Sequence, residues 1–143
     1  MKTININTDS HQYIELSNGI FEGNLLNYSK EGFGVFYSDD GYICIGNWLN
    51  DCLEGKAMFF FLDGGFFFGD FCSNEINGLG FLRLANKDII AGYYKGDILH
   101  GYYTSFNYEE KSWIFNKYFE GNMIKCIHHE KNVDESNIIK NYY

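Results

Sequence analysis

The chain has 143 residues, 20% of them aromatic, with 16 glycines, no proline and a formal net charge of −8. That length sets one domain with a modest core, and the glycine–aromatic mix suits twisted strands and turns better than helices. The acidity and the lack of any Lys/Arg cluster exclude a nucleic-acid partner and argue against an anionic membrane surface, and no stretch is long and apolar enough to cross a bilayer as a helix.

Residues 1–20 read as an N-terminal capping hairpin. Ile4 and Ile6 alternate, Asp9 and Ser10 mark a turn, Tyr13 and Ile14 lie in a second alternating run, and Ser17, Asn18 and Gly19 close it. A terminal unit of an array must be atypical, because one side of it meets water.

From residue 21 a period of twenty-three sets in. Gly23, Gly46, Gly69 and Gly92 form one column, and Gly32, Gly55, Gly78 and Gly101 form a second, nine positions on. Two residues before the first column stand Phe21, Cys44, Phe67 and Ile90; two after it stand Leu25, Trp48, Phe71 and Tyr94. Residues two apart share a strand face. Each glycine therefore leaves a notch between large side chains, over which a ring can lie on bare backbone. Gly32 and Gly34 repeat the device in a second strand, with Phe36 on the same face. Asp39, Asp40 and Gly41 then supply a turn, as do Asp63 and Gly64, whereas Lys87 stands where the third repeat should carry glycine. The spacing predicts an all-β fold, an elongated, twisted antiparallel sheet of stacked β-hairpins. The array spans residues 21–127, about four and a half repeats.

The glycine count slips after Gly101. The motif returns as Phe119, Gly121 and Met123, which predicts a six-residue insertion within residues 106–117, placed in the polar turn around Tyr108 to Lys111. Residues 128–143 read as a tail or a short capping helix, with Asp134 as N-cap and Ile138, Ile139 and Tyr142 on one side.

This pattern resembles the MORN (membrane occupation and recognition nexus) repeat family. That family's pattern is aromatic-x-Gly-x-aromatic, then Gly-x-Gly, then an aspartate/asparagine–glycine turn. Residues 44–66 and 67–89 match best; Leu25, Ala57, Tyr103 and Lys87 depart from it. The resemblance implies stacked hairpins and the roles of scaffolding, dimerisation or phospholipid contact. It implies no enzyme, since no catalytic module is attached.

The candidate chemical groups point the same way. Cys44, Cys52, Cys72 and Cys126 form no CxxC pair, and the polar residues 1–10 set the expectation of a cytoplasmic, reducing location with free thiols. Cys52 and Cys72 have no histidine near them in sequence to act as base. Cys126, His128 and His129 are too few to hold a metal, and His100, beside Gly101, reads as structural. Asp39, Asp40, Glu109 and Glu110 sit in turns, and the glycines lie in strand pattern rather than opening a helix as a phosphate cradle does. We expect no catalytic residue, no metal and no cofactor.

The aromatic columns remain. Phe21, Trp48, Phe67, Phe71 and Tyr94 lie on the glycine face; Phe33, Val35, Tyr37, Met58, Phe60, Leu79, Phe81, Tyr102 and Phe106 lie on the other. A single sheet this small cannot bury both, and the exposed column implies a partner. The leading expectation is a non-enzymatic protein-interaction module, a scaffold or an inhibitor. In it Phe21, Trp48, Phe67, Phe71 and Tyr94 line a groove, and Asp51 and Asp70, with Glu54, Asp63 and Glu75, form an acidic rim for a basic patch on a protein partner. Intramolecular packing of the same rings is the competing expectation. The alternative function is a peripheral membrane, phospholipid-associated protein. Unpaired end strands would also permit a homodimer.

Overall fold

The computed structural model describes residues 4–6 and 12–131, with side-chain surroundings given for 12–126. Every element among them is a strand. In chain order they are β1 (Ile4–Ile6), β2 (Gln12–Leu16), β3 (Gly19–Leu26), β4 (Ser29–Ser38), β5 (Ile43–Leu49), β6 (Cys52–Phe60), β7 (Phe66–Cys72), β8 (Glu75–Arg83), β9 (Ile89–Lys95), β10 (Ile98–Asn107), β11 (Ser112–Phe119) and β12 (Asn122–Lys131). They form one twelve-stranded sheet in which each strand lies antiparallel beside its sequence neighbours. The all-β meander of consecutive hairpins is thus present. The capping helix expected from Asp134 onward lies outside the described residues.

Two kinds of turn repeat along the sheet. Within each repeat the two strands join through two residues: Asn27 and Tyr28, Asn50 and Asp51, Ser73 and Asn74, Gly96 and Asp97, Glu120 and Gly121. All ten have positive φ, between 47° and 75°. Two left-handed residues make the tight turn whose twist matches its flanking strands, and Asn, Asp and Gly adopt it at least cost. The first three junctions between repeats close around three residues, flanked by Ser38 and Tyr42, Phe61 and Gly65, and Leu84 and Asp88, and the fourth leaves four, Tyr108 to Lys111, between the paired Asn107 and Ser112. The Ser38 N–H donates to Tyr42 O and the Gly41 N–H to Ser38 O; Phe61 and Leu84 head the same arrangement one and two repeats later. The third loop residue is left-handed each time: Gly41, Gly64 and Lys87.

The six-residue insertion expected in residues 106–117 is absent. β11 opens at Ser112, twenty-three positions after β9 opens at Ile89, and the repeat is longer by one residue only: the turn at Glu120 and Gly121 lies twenty-four positions after that at Gly96 and Asp97, and Asn116 in the glycine row lies twenty-four after Gly92. Glu120 and Gly121 are the hairpin turn, not the middle of a strand. Glycine serves both a strand notch and a left-handed turn, and counting glycines cannot tell the two apart.

The first glycine column does what its spacing predicts. Gly23 pairs with Gly34, Gly34 with Gly46, Gly46 with Ala57, Ala57 with Gly69, Gly69 with Gly80, and Gly80 with Gly92. The row then passes to Tyr103 and Asn116. Rings lie over this bare strip. A Cβ at Gly34 would stand 2.2 Å from Phe21 Cζ, and one at Gly69 would stand 2.7 Å from Phe67. The second column differs. Gly32, Gly55, Gly78 and Gly101 have positive φ, and within each repeat the pairing skips at these residues, so they are bulges in the longer second strands. Bulges of this kind strengthen local twist. The core follows the bare strip: Ile14, Phe21, Phe36, Cys44, Trp48, Leu53, Ala57, Phe67 and Phe71 form one buried cluster on the glycine face.

Candidate functional site

The expected groove residues are that core. Phe21 is wholly buried, and Trp48, Phe67 and Phe71 are at most 8% exposed. Phe21 meets Trp48 edge-on at 5.5 Å, Phe67 meets Phe71 edge-on at 5.9 Å, and Phe59 lies 5.6 Å from Phe71. Rings packed this way stabilise one another, and they present little surface to a partner. The partner-contact expectation for these four rings is therefore corrected to intramolecular packing. Tyr94 is half-buried, with its ring edge above Gly80, and burial raises its phenol pKa.

The two rim carboxylates do not flank these rings either. Asp51 is the second residue of its tight turn, and its Oδ1 accepts the Lys30 N–H at 2.8 Å while its own N–H donates to Lys30 O at 3.1 Å. The same clamp recurs one repeat on, where Asn74 Oδ1 accepts the Leu53 N–H at 2.7 Å, and again where Asp97 Oδ1 accepts the Ile76 N–H at 2.6 Å. In the last described hairpin Gly121 keeps the backbone half alone, donating to Leu99 O. Asp51 is thus a fastener between hairpins. Asp70 lies in strand alternation with Phe68, on the face opposite Phe67 and Phe71. It pairs with Lys56 at 2.6 Å, and its other oxygen accepts the Leu79 N–H beside the Gly78 bulge. Glu54 and Asp63 also accept backbone N–H groups, from Ser73 and Gly65. The sequence signal for the clamp was present in the Asn50–Asp51, Ser73–Asn74 and Gly96–Asp97 pairs, one per period, which alternation alone assigns to linkers.

The exposed apolar surface is on the other face. Ile20, Tyr37, Ile43, Phe60 and Phe66 are cross-strand neighbours in one row, and the first four remain more than a third exposed. Further out, Phe33, Leu79, Tyr93 and Tyr102 are 59%, 67%, 45% and 69% exposed. Rings touch along this face: Phe66 stacks on Phe81 at 5.8 Å, and Phe106 lies 4.6 Å from Trp113. Side chains of this kind across one sheet form an apolar surface with no layer over it among the described residues.

Reactive groups do not converge. Cys44 is buried and its thiol is pushed up to about 12 by burial, so it is a neutral thiol at physiological pH. Cys52 is half-buried, and Cys72 and Cys126 are exposed. Among the described residues no three His, Cys, Asp or Glu side chains are placed to hold a metal. His100 packs against Phe119, with ring centroids 5.2 Å apart. No helix of the described residues is long and apolar enough to cross a membrane.

No protein-family model and no curated protein matches the chain. Among solved structures it is similar to the TCP domain of SAS-4 from Drosophila melanogaster, in complex with a proline-rich motif of Ana2. That alignment covers 93% of this chain and 90% of that one, at 12% identity and a TM-score of 0.29. A score of that size does not show a shared fold.

Proposed function

We propose that this chain is a MORN-like, non-enzymatic protein-interaction module that meets its partner with the face opposite the glycine strip. The observation that carries this is the exposure of Phe33, Leu79, Tyr93 and Tyr102 together with the row from Ile20 to Phe60 on one side of a single-layer sheet. Water-facing apolar area of that extent on a folded chain supports an interaction surface. The partner's chemistry follows from the two properties of the chain: apolar side chains to cover the rings, and basic residues to complement a net charge of −8.

The test is a triple change on that face, Phe33→Ser, Leu79→Ser and Tyr102→Ser. These side chains are mostly solvated, so the fold should survive, as circular dichroism and thermal melting would verify. Proteins captured by the wild-type chain from its native cells should be lost from the triple variant. Equal capture by a well-folded triple variant would refute the assignment of the face. Light scattering of both forms reports whether the captured partner is a second copy. Flotation with anionic vesicles at low salt separates the peripheral-membrane reading, which requires co-migration.

A further inference from the structure

The exposed apolar face carries an open depression of about 520 Å³ over β3 and β4. Phe33 and Tyr37 stand on either side of Val35 along one strand face, and all three line it. Both rings are exposed, and among the described residues neither stacks on another ring or lies under a cation. Glu22, the cross-strand partner of Val35, brings the depression its single charge. Its side chain is partly exposed, and among the described residues no hydrogen bond or ion pair engages the carboxylate. Gln12 and Asn24 complete the polar lining beside Gly23 and Gly34. Amides and a tyrosine hydroxyl both donate and accept, so the carboxylate decides which sign of charge the depression suits.

The same face shows such a constellation already filled. Lys56 Nζ pairs with Asp70 at 2.6 Å and lies 5.7 Å from the centre of the Phe68 ring. There the chain supplies its own cation to a carboxylate and a ring. Phe33 stands twenty-three positions before Lys56. The first repeat therefore has a ring where the second has the cation, and the Glu22 carboxylate beside it has no cation from the described residues.

We propose that this depression receives an arginine side chain of the protein partner, its guanidinium lying against the Phe33 and Tyr37 rings and donating to the Glu22 carboxylate. A guanidinium is planar, stacks on aromatic faces and carries five N–H donors. The carboxylate accepts two of them, and the side-chain oxygens of Gln12, Asn24 and Tyr37 are acceptors for others. A lysine ammonium has three donors and no plane to lay on a ring. An anionic group would meet Glu22 as a like charge. The net charge of −8 draws a basic segment toward the chain. This names one contact of the interaction proposed above and rests on that reading.

The chain has two valines, Val35 and Val133, which makes the test direct. In a sample with ¹³C-labelled valine methyl groups, Val133→Ile assigns the Val35 signals. The full chain is titrated with acetyl-Leu-Arg-Leu-amide and with the same peptide carrying lysine, or the neutral isostere citrulline, in place of arginine. The arginine peptide should move the Val35 methyl signals saturably at millimolar concentrations or below. The citrulline peptide should bind about tenfold more weakly, the equivalent of roughly 1.4 kcal/mol, and the lysine peptide should fall between them. Glu22→Gln should weaken the arginine peptide by a similar factor, whereas Glu75→Gln, a carboxylate outside the depression, should leave it unchanged. Unmoved Val35 signals, equal binding of the lysine or citrulline peptide, or undiminished binding by Glu22→Gln would each overturn the proposal. Dispersed methyl spectra of Glu22→Gln establish that a loss is not unfolding. Capture from native cells separates the two proposals. If the triple variant loses the partner while Glu22→Gln holds it at full yield, the face stands and the arginine site falls. If the triple variant keeps the partner, both fall.

Discussion

Gly34→Ala adds a single methyl group at the most crowded point of the bare strip. The new Cβ would stand 2.2 Å from Phe21 Cζ and 2.5 Å from Phe21 Cε2, whereas carbons in contact rest about 3.5–4.0 Å apart. The overlap exceeds an ångström and neither side can yield easily. Phe21 is wholly buried and held edge-on by Trp48. The strand bearing Gly34 is hydrogen-bonded on both flanks, facing Gly23 on one side and Gly46 on the other. Overpacking of this sort costs about 1–3 kcal/mol, and this geometry argues for the upper part of that range. For a chain of this size 1 kcal/mol is worth roughly 3–5 °C of melting temperature, so thermal unfolding followed by circular dichroism should show a drop of about 5–15 °C. Two companions isolate the cause. Gly55→Ala meets nothing within 4 Å but sits at φ +72°, so its cost, about 1–2 kcal/mol, comes from the backbone alone. Phe21→Leu, placed in the Gly34→Ala background, removes the ring edge that clashes; the double variant should be more stable than the sum of the single effects predicts. Wild-type stability of Gly34→Ala, or strict additivity with Phe21→Leu, would refute the notion that rings lying on bare backbone hold this sheet together.

Trp48→Ala should destabilise the chain by about 3–5 kcal/mol in urea titration, as expected for an aromatic removed from a core; a fully folded variant with near-native stability would show that Trp48 is not core. Asn74→Ala should cost about 1–3 kcal/mol, because the Leu53 N–H loses its 2.7 Å acceptor beside a buried side chain, and Asp97→Ala should cost less, since Ile76 is only half-buried. In thiol labelling at neutral pH, Cys72 and Cys126 should react quickly while Cys44 waits for unfolding. Cys44 also makes stability fall at high pH: its folded-state pKa of about 12 lies above the ordinary thiol value of 9.0, so the unfolded chain loses the proton first. That contribution is intact below pH 9 and declines by at most about 1.4 kcal/mol per pH unit above it. Tyr94 and Tyr103, both raised by burial, act in the same direction. Chemical denaturation as a function of pH should show the decline, and Cys44→Ala should flatten its lower part.

The hairpin array was legible because two independent spacings agree. Phe21, Gly23 and Leu25 carry the two-residue period of a strand, and their recurrence after twenty-three residues carries the hairpin. The role of the second glycine column was not legible, because the requirement at Gly55 or Gly101 is a backbone angle rather than a missing side chain, and both requirements select the same residue. The apparent slip after Gly101 has the same origin. In the fifth repeat Phe115 stands twenty-three positions after Gly92, Asn116 faces Tyr103 in the glycine row, and the conspicuous Gly121 belongs to a turn.

The choice of buried face was harder, since alternation places aromatics on both sides of every repeat. A physical rule decides it. In a single-layer sheet no second layer covers a side chain, so a ring is buried only by lying down against its own sheet. Lying down requires backbone with nothing standing on it. That condition holds along the Gly23–Gly34–Gly46 strip and its continuation through Gly69 and Gly80, and Phe21 and Phe67 meet it, with rings against Gly34 and Gly69. On the opposite face each ladder position carries a full side chain, such as Val35, Ile45, Met58, Phe68 and Phe81 in one row. Rings there are covered only by one another, as Phe66 and Phe81 are, or stay exposed, as Phe33 and Tyr102 do. The notch that first suggested a partner groove is therefore what closes that face over its own core, and it leaves the exposed apolar side chains on the face without notches.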